Sequence, residues 1–173
     1  MSLESLPPEQ RERLLAPRAT LVAAAGRIAG LKSEIWMGGA HSTTGTPLEG
    51  DWLANAWVID LAGDTHPDAL IKVKRREAFV FPDMEHRPDR IDRLFLLADE
   101  FAAAARADHG PARIVSLCQH GMNRSGLATG LLLRALGTSY EETVSMIRQA
   151  RPGALANHAF EAILAEERYS PSL

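Results

Sequence analysis

The sequence predicts an α/β fold with a central, mostly parallel or mixed sheet of about four to five strands flanked by helices. Three observations carry this. Ala56–Leu61 and Ile114–Cys118 are continuous apolar runs of strand length, as expected of strands buried on both faces. Between them, Asp89–Ala107 repeats apolar residues (Ile91, Leu94, Phe95, Ala98, Phe101, Ala102, Ala105) at three- and four-residue spacing, a helix that crosses from one strand to the next. Finally, a short polar loop after Cys118 leads into Arg124–Leu136, apolar nearly all round. A strand, a loop and a buried helix in that order place the loop at the carboxyl end of a sheet strand, where ligands gather in open α/β sheets.

At the N-terminus, Pro7–Ala29 reads as one or two helices broken near Pro17, with Pro8 in a first turn, Gly30 as the stop, and Leu14, Leu15, Leu21, Val22 and Ile28 facing inward. Residues 1–30 are thus expected to be a helical extension and residues 31–173 the domain. Glu34–Gly39 is a short strand ending in two glycines, followed by a polar, turn-rich loop in which His41 is either solvated or on the rim of a site. Lys72–Glu77 holds the one basic cluster, a solvated face or a pocket rim able to attract a dianion. Ala78–Phe81 reads as an apolar strand, and Pro82–Asp89 as a loop. Asp89, after Pro88, and Asp92 fall where the next helix begins. After Gly137, Ser139–Glu142 is a capping box opening a further helix, and Ala154–Glu167 makes the last.

The loop itself carries chemistry. Cys118 is followed after five residues by Arg124 and then Ser125, with Gly121 inside and Gly126 behind. A tight loop feeding a helix N-terminus aims successive N–H groups at one point, which makes a cradle for a phosphate group. Gly121 supplies the left-handed backbone such a curl needs, and the Arg124 guanidinium can grip two oxygens at once. Cys118 on the floor of the cradle would sit among N–H dipoles beside a cation, where a thiolate is favoured. A lone Cys at the end of an apolar strand is most often a small hydrophobe. Gly, Arg and Ser at these fixed offsets arise by chance only on the order of once in a few thousand.

Cys118-Gln-His-Gly-Met-Asn-Arg-Ser-Gly-Leu resembles the signature loop of the protein tyrosine phosphatase superfamily, and most of all its small dual-specificity members, bacterial ones included. The resemblance implies the single-domain phosphatase fold and a cysteinyl-phosphate mechanism without metal or cofactor. In it, Cys118 attacks while Gln119, His120, Gly121, Met122, Asn123 and Arg124 bind the phosphoryl oxygens. It further implies that Ser125 stabilises the departing thiolate. One position departs: Leu117 stands where the family usually has His, which removes an imidazole and leaves the phosphate grip.

The leaving oxygen needs a proton that a thiolate cannot give, so an acid on a nearby loop is required. The family places an Asp some thirty to forty residues before the Cys; Asp83, 35 residues upstream, fits. Asp89 and Asp92 are its rivals, with Glu85 and His86 behind them. Arg148 and Arg151 approximate an Arg-x-Arg-Pro pattern of relatives and read as salt-bridged core residues, and Asn157 lies where several relatives carry a polar residue near the water path.

Composition bounds the partners. A 173-residue chain with 46% hydrophobic and 24% charged residues suits one ordinary domain. Lys+Arg 19 against Asp+Glu 22 leaves a net charge of −3, so neither nucleic acid nor an anionic membrane is an expected partner. A single Cys forms no internal disulfide, and a free thiol fits a reducing cytoplasm. The six His residues form no HExxH pair, and no metal is expected. The expected partner is a phosphorylated protein or another phosphomonoester, with protein tyrosine or dual-specificity phosphatase activity leading. RNA 5′-phosphatase, phosphoinositide phosphatase and a phosphate-binding pseudophosphatase are the alternatives.

Overall fold

Ile114, Val115, Leu117 and Cys118 leave no polar face for water, and the structure buries all four at the centre of a sheet. The computed structural model describes residues 2–166, and among these six strands form one mixed sheet. They are β1 (Arg18–Ala23), β2 (Glu34–Gly39), β3 (Thr46–Pro47), β4 (Ala56–Asp60), β5 (Arg75–Ala78) and β6 (Arg113–Cys118), in the spatial order β3-β1-β2-β6-β4-β5. β2, β6, β4 and β5 are parallel neighbours, while β1 runs antiparallel to both β2 and β3. Beyond the strand count expected from sequence, the sheet gains β1 and the two-residue β3.

The helices are α1 (Pro8–Leu15), α2 (Ile91–Arg106), α3 (Arg124–Ala135), α4 (Tyr140–Ala150) and α5 (His158–Leu164). α3 packs on β6 and β2 and also against α2, α4 and α5, so it is the hub of one face. Leu127, Leu131, Leu132 and Leu133 are fully buried there, and at about 1.5–3 kcal/mol for each such side chain they hold α3 firmly beneath the loop. The opposite face is a smaller cluster of Ala19, Leu48, Leu53, Ala56, Val58, Leu70, Val115 and Leu117. The two-residue period of β6 sends Ile114 and Cys118 to the helical face and Val115 and Leu117 to the other. Leu117 and Cys118 therefore point to opposite sides of the sheet.

Several expectations are corrected. The helix expected over Pro7–Ala29 exists only as α1, because Ala16, before Pro17, is held in extended backbone and the chain continues as a strand. Pairing with β2 draws Arg18–Ala23, in which Thr20 and Val22 are β-branched, into the sheet, and Gly30 uses its φ of +78° near the start of β2 rather than as a helix stop. Leu14 (67% exposed) and Leu21 (36%) face outward, whereas Val22 and Ile28 pack on the core as expected. The strand expected at Ala78–Phe81 lies earlier, at Arg75–Ala78, because ion pairing and ring stacking let the arginines occupy it. Arg75 pairs with Glu77 and Glu100 and lies over Trp57 and Phe101, and Arg76 pairs with Asp60. Arg75 and Arg76 are therefore tied into the sheet, Lys72 pairs with Asp51 beside a different cavity, and none of the run lines the cavity at Cys118.

α2 begins at Ile91, after Arg90 in left-handed backbone, so Asp92 and not Asp89 occupies its first turn. α4 is capped by Ser139, whose Oγ accepts the N–H of Glu142, as the capping box predicts. α5 starts later than expected, at His158, since Asn157 caps it, and Glu167, its expected end, lies outside the described residues. Among the described residues no helix is long and apolar enough to cross a membrane.

Candidate active site

The loop from Cys118 to Arg124 leaves the end of β6 with its carbonyls turned outward. Cys118 O accepts from Ala40 N–H (2.8 Å), Gln119 O from His41 N–H (2.8 Å) and Met122 O from Leu155 N–H (3.2 Å). His120 O accepts from Arg151 Nη2 at 3.2 Å. The amides consequently face inward: among the described residues the N–H groups of Gln119, His120, Met122 and Asn123 donate to no protein acceptor. Gly121 N–H points at Cys118 Sγ from 3.3 Å. This is the concave nest of donors the spacing predicts.

Two glycines make the curl possible. Gly121 has φ +77°, where an L side chain is strained, and a Cβ there would lie 2.6 Å from the carbonyl carbon of Gly38. Gly39 of β2 has ordinary backbone, yet a Cβ on it would lie 2.5 Å from Gln119 O and 2.6 Å from Gly121 N. Of the glycine pair at the end of β2, Gly39 is required by the loop that lies upon it, and Gly38 by β1, where a Cβ would lie 1.9 Å from Arg18 O.

Cys118 is 3% exposed, and its Sγ lies 3.3 Å from Oγ of Ser125, itself buried in the first turn of α3. Arg124 donates through Nη1 to Phe81 O (3.1 Å), while its Nε is buried without an acceptor. That unmatched donor belongs to a residue lining a cavity of about 280 Å³, together with Asp83, Cys118, Gln119, His120, Met122 and Asn123. A tetrahedral oxyanion would meet in this cavity the inward amides and a guanidinium.

Asp83, of the proposed acids, borders this cavity; Asp89 and His86 line a different one with Pro82 and Pro88, and Asp92 belongs to α2. Glu85 is turned to α5, where it accepts from His158 N–H (3.4 Å). His41 is exposed and touches the loop through its backbone.

A clamp not foreseen from sequence holds Asp83. Its Oδ2 accepts from Asn123 Nδ2 (2.9 Å) and its Oδ1 from Asn157 Nδ2 (2.9 Å). Asn157, 4% exposed, also donates to Met84 O (2.9 Å) and caps α5 through Phe160 N–H (3.2 Å), and its own N–H donates to Asn123 Oδ1 (3.1 Å). One cap residue thus joins α5, the loop and the acid. An Asn opening an apolar helical stretch marks a cap in any sequence, but its second set of partners is set by tertiary packing. Arg148 is salt-bridged as expected, to Glu161 (3.2 Å), and caps the carbonyls of Ala154 and Leu155. Arg151 differs, with no carboxylate partner among the described residues.

No protein-family model and no curated protein sequence matches the chain. Solved structures do. A mouse putative dual specificity phosphatase complexed with zinc tungstate aligns over 98% of this chain and 90% of its own at TM-score 0.60 and 20% identity. Human DUSP28 aligns over 88% and 93% at TM-score 0.63 and 19% identity. OH1 from the Orf virus, a tyrosine phosphatase, aligns over 96% and 92% at TM-score 0.56 and 14% identity. With its mixed sheet, its helical face and a loop between the central strand and a buried helix, this chain has the fold of the tyrosine and dual-specificity phosphatases.

Proposed function

We propose that the protein is a cysteine-dependent phosphomonoesterase acting on phosphorylated proteins, with tyrosine or dual specificity. The carrying observation is the buried Cys118 sulfur, 3.3 Å from both Gly121 N–H and Ser125 Oγ, at a cavity that Arg124 and Asp83 also line. In the first step the Cys118 thiolate attacks phosphorus, forming the S–P bond as the P–O bond to the leaving group breaks. Asp83 gives its proton to that oxygen. The inward amides of Gln119, His120, Met122 and Asn123 and the Arg124 guanidinium take the three equatorial oxygens, whose charge rises in the transition state.

In the second step water attacks the cysteinyl-phosphate while Asp83, now ionised, accepts its proton. Sulfur leaves as thiolate with the Ser125 hydroxyl donating to it. Asn123 and Asn157 hold Asp83 above the loop through both steps. Every part of this scheme comes from the chain, and no metal or cofactor enters it.

The test is hydrolysis of para-nitrophenyl phosphate by wild type and Cys118→Ser, alongside vanadate binding. Loss of turnover with vanadate still bound supports the mechanism; undiminished turnover by the Ser variant overturns it. A panel of phosphotyrosine and phosphoserine peptides, a phosphoinositide and an RNA 5′-phosphate then ranks substrates, phosphopeptides being expected to lead.

A further inference from the structure

Among the described residues only two charged side chains are buried, Asp60 and Arg151. Asp60 has an ordinary counter-ion, Arg76, at 3.0 Å. Arg151, 4% exposed, has none: Nη1 donates to Thr20 Oγ1 (3.0 Å) and Thr44 O (3.4 Å), Nη2 to Ser42 Oγ (2.6 Å) and His120 O (3.2 Å), and Nε to nothing. All four acceptors are neutral. A buried cation with dipoles alone around it is costly, and such a charge is retained where an anion balances it.

The loop lies against it. Nη2 holds the His120 carbonyl, and a Cβ on Gly121 would sit 3.0 Å from Nη2, so the guanidinium backs the same turn whose Gly121 N–H meets Cys118 Sγ. We propose that Arg151 is the buried counter-charge of the Cys118 thiolate, a positioning residue that acts from behind the loop without touching substrate. Burial pushes the Arg151 guanidinium down from its ordinary value, and interaction with Cys118 opposes it. The other charged or titratable groups around Cys118 are Arg124 and His120 of the loop, and Asp83 across the cavity. His41, on the loop after β2, is exposed, and Asp60, beside Leu117 in register, is already matched by Arg76. Leu117 faces the other side of the sheet and brings no charge. Arg124 is left to the phosphate, and the resting thiolate is balanced from the rear.

The inference rests on Cys118 reacting as a thiolate. It is tested by the pH profile of iodoacetamide alkylation of Cys118 in wild type, Arg151→Met and Arg151→Lys, with circular dichroism to verify folding. Wild type is expected to alkylate at lower pH than free cysteine, Met to shift the profile upward and slow alkylation at pH 6 by tenfold or more, and Lys to restore most of it. A wild-type profile like that of free cysteine overturns the thiolate reading and this inference with it. A low wild-type profile unchanged in folded Arg151→Met, or equally raised in Met and Lys, overturns this inference alone. Should Arg151→Met not fold, the Arg151 side-chain nitrogen resonances decide. A pH-dependent shift in wild type that is lost in Cys118→Ser supports the pairing, and no such shift in wild type overturns it.

Discussion

Replacing Asn157 tests the joint between stability and catalysis. Its side chain does two separable things: Oδ1 caps α5, and Nδ2 donates to Asp83 Oδ1 and Met84 O. Loss of a cap costs about 1 kcal/mol, and the two Nδ2 bonds contribute roughly 0.5–1.5 kcal/mol each. Asn157→Ala should therefore destabilise by about 2–4 kcal/mol, which for a domain of this size lowers Tm by roughly 5–15 °C. Asn157→Ser retains the cap and cannot reach Asp83, so it should recover about 1 kcal/mol over Ala. The kinetic consequence differs from the thermal one. With Asp83 held by Asn123 alone in both variants, hydrolysis of phenyl phosphate, whose leaving oxygen needs a proton, should fall by about tenfold or more. para-Nitrophenyl phosphate, with a good leaving group, should be affected less. The measurements are thermal melts and kcat on the two esters. Equal Tm for Ala and Ser, or an unchanged ratio between the esters, would refute the reasoning.

Two further outcomes are expected. Gly39→Ala puts a methyl 2.5–2.7 Å from the backbone of Gln119, His120 and Gly121. Overpacking of this kind costs about 1–3 kcal/mol. Vanadate affinity should fall more than the melting temperature suggests, because the displaced atoms are the cradle itself; wild-type vanadate binding would contradict this. Glu161 is raised by burial, but hydrogen bonds from Tyr140 and Arg148 outweigh that and hold its carboxyl below the usual range. A lowered folded value gives stability that is present above the unfolded value of about 4.3 and lost as pH falls through the folded one. The Tm gap between wild type and Glu161→Gln should accordingly be widest near neutrality and close as pH falls below the unfolded value; a gap independent of pH would exclude the linkage.

The parallel core of the sheet and the nest were legible because both are written locally. β6, the loop and α3 follow one another without interruption, and the Cys118, Gly121, Arg124 and Ser125 offsets fix the curl. Asp83 lines the same cavity as Cys118, the neighbourhood its distance along the chain led one to expect. What escaped depended on partners far along the chain. β1, read together with the alanines that follow it as helix, is held as a strand between β2 and β3. Arg75 and Arg76 look like a solvated run until Glu100, Trp57 and Asp60 are brought beside them. Asn157 and Arg151 reach residues 74 and 131 positions away, and no spacing rule connects positions so distant.

The strand that carries Cys118 is also, among the described residues, the last strand to leave the ribosome. Before it emerges, β2 and β4 have no shared neighbour, and the slot between them is lined on both sides by unpaired amides and carbonyls. A nascent chain paused before residue 113 would expose two sticky parallel edges at once, a state prone to pairing with other chains. Insertion of Arg113–Cys118 closes both edges and seats the loop on Gly39 in the same event, so assembly of the site and removal of the aggregation hazard coincide.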